Sequence, residues 1–170
     1  MGTNFDPLVK IKAGIKLLKE IEGFGDPIRD SDRFNAVLKF YRNKGDPLEF
    51  DTILQEPVPY LDDSDGLMRI AWNAPKMHRS HIVVERDATL ARQADLISGS
   101  YYTILGMRVM GYRFVALPPH LFARSMHGTH GIDRESVIKL EVFLSRIYPR
   151  PITQQDRQSE PGINPTFPIR

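Results

Sequence analysis

Residues 106–122 read "GMRVMGYRFVALPPHLF". A helix-like apolar pattern stops at Gly111, and a run rich in aromatic and β-branched residues follows at once. Pro118 and Pro119 then break that run, and Arg124 lies just beyond. The change of period from about 3.6 to 2 marks the end of a helix and the start of a core strand over 113–118. Upstream, "LMRIAW" (67–72) and "HIVVE" (81–85) have the composition of strands. The segment "ADLISGSYYTILGMRVMG" (94–111) reads as a loop and then a helix opening near Gly99. Downstream, "HGTHG" (127–131) is a loop and Asp133 caps a closing helix that runs to Tyr148. Ile132 and Val137 stand at the positions of a hydrophobic staple, and Val137, Leu140, Leu144 and Ile147 share one helical face.

The N-terminal third carries helical spacing. Leu8, Ile11, Ile15, Leu18 and Ile21 predict an amphipathic helix over 7–22 that Gly23 ends. Phe34, Val37, Leu38 and Tyr41 predict a second over 31–43, and a shorter third follows over 47–55. Asp-Pro recurs at 6–7, 26–27 and 46–47, each pair suited to an N-cap and a first helical residue. The segments between these pairs do not match, so they are not a repeat. The expected organisation is a helical segment (1–56), a linker (57–66), a strand-helix-strand module with its closing helix (67–148) and an extended tail (149–170). The expected class is therefore α/β (α+β), with N-terminal helices ahead of a small β-α-β module. The tail holds five prolines and almost no apolar periodicity. A segment of that composition cannot bury a core of its own, so partner molecules are expected to hold it.

The order of elements over 83–125 resembles the RAP domain, a compact module related to PD-(D/E)xK nucleases and found in organellar RNA-associated proteins. Val83-Val84-Glu85 ends a strand in an acid, "SGS" opens a helix, and "GYRFVALP" (111–118) is the most family-like run. The resemblance spans about 67–148. It implies a restriction-endonuclease-like module, RNA or protein contacts, and an organellar, mitochondrial location.

Charge supports a polar division of surfaces. The formal net charge is only +2, which gives no global pull toward nucleic acid or membrane. Yet 51–75 carries a net of −4 and 76–130 a net of +4, and all five histidines fall in the second stretch. Lys76, Arg79, Arg108, Arg113, His120 and Arg124 are the candidate RNA-binding residues, with Trp72, Tyr101, Tyr102 and Tyr112 available to stack on bases. Pro149, Arg150, Pro151, Phe167 and Arg170 are the candidate partner-binding residues of the tail. Without cysteine there are no disulfides and no thiolate metal sites. No apolar run approaches the ~20 residues of a membrane span.

Catalytic patterns are weighed and set aside. Glu85 and Asp87, two apart on a strand, with Asp65 as a third oxygen donor, are candidate Mg²⁺ ligands for a nuclease, but Asp87 stands where a lysine is wanted. His78 with His81, and His127 with His130, lack a metal-binding frame. "DDSDG" (62–66) lacks the ligand spacing of a calcium loop. The sequence thus predicts a non-enzymatic structural subunit of a large organellar ribonucleoprotein, a mitochondrial ribosome, in contact with rRNA and neighbouring proteins. The alternatives are an accessory scaffold of a respiratory or ATP synthase complex, and a Mg²⁺-dependent nuclease. No cofactor, catalytic residue, metal site or small-molecule substrate is expected.

Overall fold

The structure is a computed structural model describing residues 14–48, 53–54, 56–74, 78–79, 82–92, 98–121 and 135–151. Among these, the elements run β1 (Lys16–Ile21), β2 (Arg33–Arg42), β3 (Ile53–Leu54), β4 (Val58–Asp62), β5 (Arg69–Asn73), β6 (His78–Arg79), β7 (Ile82–Thr89), α1 (Ser98–Ile104), β8 (Gly111–Leu117) and β9 (Ile138–Ile147). Five strands form one antiparallel sheet in the order β1-β8-β9-β2-β7. Two ribbons stand apart from it, β3 with β6 and β4 with β5. The short helix α1 lies over β8 and β9.

This corrects the expected α/β class. Over the described residues, the helices expected over 7–22, 31–43 and 47–55 give way to strands β1, β2 and β3, and the closing helix expected over 133–148 is strand β9. The physical reason lies in double-sided burial. In β2, Phe34, Ala36, Leu38 and Phe40 face the main core on the helix side of the sheet. Val37 enters a second core on the opposite side. A strand buried on both faces loses the apolar/polar alternation that betrays it. Phe34, Val37, Leu38 and Tyr41 then coincide with the i, i+3, i+4, i+7 spacing of a helix. In β9, Ile138, Leu140, Val142 and Leu144 fill the helix-side core while Phe143 fills the other, which blurs the pattern in the same way.

The strands expected over 67–72, 81–85 and 113–118 correspond to β5, β7 and β8. The helix expected from Gly99 is α1, and it ends at Ile104 instead of running to 111. Gly106 at φ +85° turns the chain away from it. The sheet draws strands from both sides of residues 57–66, and β4 occupies half of that stretch.

The β4–β5 hairpin covers the sheet face opposite α1. Val58, Leu61 and Ile70 pack there with Val37, Ile82, Tyr112 and Phe143. Exposed ion pairs tie it at both sheet margins, Lys19–Asp63 (3.6 Å) beside β1 and Arg86–Glu56 beside β7. Asn35 marks an irregularity where β2 slips against both neighbours. Its side-chain oxygen accepts the Asp87 backbone N–H (2.7 Å) and the Tyr148 hydroxyl (3.1 Å), which satisfies groups the interrupted ladder would leave open.

Candidate functional site

The helix side of the sheet carries the larger apolar cluster. At the C-terminal end of β2, Phe40 pairs with Leu140, and Leu117 pairs with Ile138 on the far side of β9. Leu48 donates its backbone N–H to the Phe40 carbonyl (3.0 Å) and is fully buried. Leu121 closes a short turn after Pro118 and is buried beside them. This end is therefore a patch of aromatic and aliphatic side chains contributed by four segments. A cavity of about 410 Å³ opens at the same end, lined by Arg42, Asn43, Lys44 and Glu135 and reaching Ile138.

The first turn of α1 sits against this patch because Gly99 has no side chain. A Cβ there would lie 2.7 Å from Leu117 Cδ1 and 3.1 Å from the Leu121 carbonyl oxygen. The next residue, Ser100, is 1% exposed, and its hydroxyl has no hydrogen-bond partner. A buried hydroxyl without a partner costs about 1–3 kcal/mol. Thr103, one turn on, avoids that cost by donating to the Gly99 carbonyl (2.6 Å). Ser100 is thus a buried hydroxyl left without a partner in the first turn of α1.

Toward the open side of the sheet the wall changes. Strand β7 is an edge strand, and its helix-side residues Val83, Glu85 and Ala88 are only partly covered. Glu85 pairs with the small, buried Ala36. Burial pushes its carboxyl above the ordinary range. Among the described residues its side chain has no hydrogen-bond or ion-pair partner.

The opposite face carries a polar cluster that works for stability. Glu141 accepts hydroxyl hydrogen bonds from Tyr112 (2.6 Å) and from Tyr41. Burial and the Glu141 charge both push these phenols well above their usual range. Lys39 is 7% exposed and lies over the Phe143 ring, 5.3 Å from its centroid. Burial lowers its pKa and Glu141 partly offsets the effect.

The residues read as an RNA surface do not form one among the described residues. Arg113 is turned inward, bound to Glu20 (2.8 Å) and to the carbonyls of Thr103 (2.8 Å) and Leu105 (3.1 Å), so it caps the end of α1. Arg108 donates to the Gly25 carbonyl and lies 3.5 Å from Glu22. His120 is exposed on the turn after Pro118. Arg79 lies in β6, and Lys76 and Arg124 fall outside the described residues. Of the stacking candidates, Tyr112 is buried and Tyr101 is buried with its hydroxyl on Asp30 (2.7 Å). Tyr102 packs edge-on against Tyr101, and Trp72 is 47% exposed on β5.

The start of the tail is held by the chain itself. Arg150 binds Asp32, Tyr148 donates its N–H to the Arg33 carbonyl (2.9 Å), and Arg33 and Arg146 both lie over the Tyr148 ring. Pro149 and Pro151 are exposed, and Phe167 and Arg170 lie outside the described residues. The proposed metal ligands do not converge. Asp87 pairs with Arg33 and Asp65 with Arg69, while Glu85 stands apart. Among the described residues no three of His, Asp or Glu gather to hold a metal ion, and no helix is long and apolar enough to cross a membrane. His81, His127 and His130 lie outside the described residues.

The sequence marks Glu85 for a different role and gives Ser100 and Phe40 no site motif of their own. The period-2 run Phe34, Ala36, Leu38, Phe40 is the signal that marks this wall.

No family model and no curated protein matches the chain. Solved structures do. The chain resembles a peptidyl-prolyl cis-trans isomerase from Pseudomonas syringae pv. tomato with a TM-score of 0.50 at 16% identity, over 87% of this chain and 86% of that one. It also resembles FkpA from Escherichia coli, with a TM-score of 0.49 at 20% identity, over 86% of this chain and 55% of that one. The likeness to the Pseudomonas enzyme is one of fold. It takes the place of the α/β module on which the ribosomal, RNA-binding and nuclease expectations leaned, and it points away from the structural-subunit, respiratory-scaffold and non-enzyme expectations, which leaned on the tail and on the catalytic patterns set aside.

Proposed function

We propose that the chain catalyses cis/trans isomerisation of Xaa–Pro peptide bonds, with the proline seated against the apolar wall on the helix side of the sheet. One observation carries this reading. Phe40, Leu48, Leu121, Ile138 and Leu140 gather in the apolar core on the helix side of the sheet, and Ser100, in the first turn of α1, is buried with its hydroxyl unpaired. The likeness in fold to a protein named as a peptidyl-prolyl isomerase supports it.

The chemistry suits such a wall. Rotation about an amide costs roughly 18–20 kcal/mol because resonance holds it planar, and for Xaa–Pro bonds the uncatalysed exchange takes tens to hundreds of seconds. No bond is made or broken. The planar amide is the more charge-separated form, so removing water disfavours it relative to the twisted form. Apolar side chains supply that dry surrounding, and the ring of proline fills it. A hydroxyl in the wall supplies one hydrogen bond to the turning amide, and it loses no other partner in doing so. Each 1.36 kcal/mol removed from the barrier is a tenfold gain in rate.

The test is exchange of a short Ala-Xaa-Pro-Phe peptide, followed by NMR magnetisation transfer or by a conformer-selective protease. The expected result is an exchange rate that rises in proportion to protein concentration. Exchange that stays at the uncatalysed rate at every protein concentration refutes the reading.

A further inference from the structure

Glu85 is the one described carboxylate that is half-buried on the helix side of the sheet with nothing to bind. The other acids near the sheet are engaged. Asp87 holds Arg33, Asp32 holds Arg150, Glu20 holds Arg113, Glu56 holds Arg86 and Glu141 takes two tyrosine hydroxyls. Strand alternation places Glu85 on the same face as Val83, Ala36 and Leu38, which belong to or pack on the helix-side core. Arg86, its neighbour, points to the other face and reaches the hairpin. Ala36 opposite is small, so the carboxylate has room above it. Helix α1 contacts β8 and β9, and among the described residues Val83, Glu85 and Ala88 at the β7 margin of this face are only partly covered.

A half-buried carboxylate without a partner is costly, and such groups cluster where a ligand completes them. We propose that Glu85 selects substrates carrying a lysine or arginine a few residues from the proline. The proposal rests on the isomerase reading and names the substrate class for that same site. Distance fixes the spacing. Glu85 stands level with Ala36, four residues along β2 from Phe40. At about 3.4 Å per residue this is roughly 13–14 Å, the span of about four residues of extended substrate. The reach of a lysine or arginine side chain shortens this to between two and four residues. Charge-assisted hydrogen bonds to a carboxylate are about twice as strong as neutral ones, so the effect is measurable.

The experiment uses the full chain and alanine-based peptides with one central Xaa–Pro bond. Each carries Lys, Ala or Glu three residues before or three residues after the proline. The expected result is a kcat/KM for the better lysine peptide about tenfold above that of its glutamate counterpart, the size of one charge-assisted hydrogen bond. Glu85→Gln brings that ratio close to one, and Glu85→Asp, which keeps the charge, preserves the order. Equal kcat/KM for lysine and glutamate peptides, on a background of clear turnover of the alanine peptide, overturns the inference and leaves the isomerase reading intact. A ratio that survives Glu85→Gln also overturns it. Failure to turn over any peptide, alanine included, overturns the isomerase reading and this inference with it.

Discussion

Replacing Arg113 by Met removes a guanidinium and keeps most of the stem that packs under it. The side chain is 15% exposed and Glu20 is 35% exposed. The ion pair between them is partly screened and is worth under about 1 kcal/mol. The larger loss is at the helix. Arg113 donates to the carbonyls of Thr103 and Leu105, two groups at the C-terminal end of α1 with no helical partner of their own. A hydrogen bond from a charged donor contributes about 1.5–3 kcal/mol, and water recovers part of it at a helix end. A loss of about 3 kcal/mol follows, or roughly 6–12 °C in Tm for a chain of this size. Urea unfolding monitored by circular dichroism reads it, with the denaturant slope unchanged. Glu20→Gln is the control, expected to cost under about 1 kcal/mol. A loss below about 0.5 kcal/mol for Arg113→Met, or equal losses for the two variants, refutes the assignment of Arg113 as the cap of α1.

Gly99→Ala sets a gain in helix propensity of up to about 1 kcal/mol against overpacking on Leu117 of about 1–3 kcal/mol. The contact at 2.7 Å makes overpacking win, so thermal unfolding shows a net loss. Ser100→Ala removes an unpaired buried hydroxyl and raises stability by about 1–2 kcal/mol while lowering isomerase turnover; unchanged turnover takes Ser100 out of the site. Burial raises the Glu85 carboxyl above its ordinary value near 4.5, so the folded chain holds that proton longer than the unfolded chain does. This group's contribution to stability therefore falls as pH rises through that window. Glu85→Gln is accordingly more stable than the parent at pH 7, with the difference vanishing below about pH 4 in urea titrations. Asp32 has the opposite sign. Burial pushes its carboxyl up, but Arg150 and the Arg29 backbone N–H together hold it below its ordinary value of 3.8. Its contribution is present above that value and is lost as pH falls through the lower folded one, so Arg150→Ala costs about 1 kcal/mol at pH 7 and less under acid.

Two of the sequence's plainest signals lead directly to structure. "GYRFVAL" is a strand because aromatic and β-branched residues crowd between two breakers, Gly111 and Pro118. "SGS" opens a helix because its small residues let the chain approach β8 closely, at Gly99 above all. The period of the apolar residues misleads in β1, β2 and β9. Burial on both faces of a strand erases alternation, and chance spacing then imitates a helix. Charge misleads as well. Arg113 reads as a phosphate ligand in one dimension and proves to be a helix cap in three, because its partners lie 8 to 93 residues away along the chain.

Composition alone determined that this chain has no thiolate chemistry, since that follows from which side chains are present. The order β1-β8-β9-β2-β7, the pairing of Phe40 with Leu140, and the isolation of Ser100 and Glu85 were decided only by the tertiary structure. The strands that meet in this sheet come from opposite ends of the chain. Whether a carboxylate finds a partner depends on which distant strand lies beside it, and no local pattern of residues encodes that.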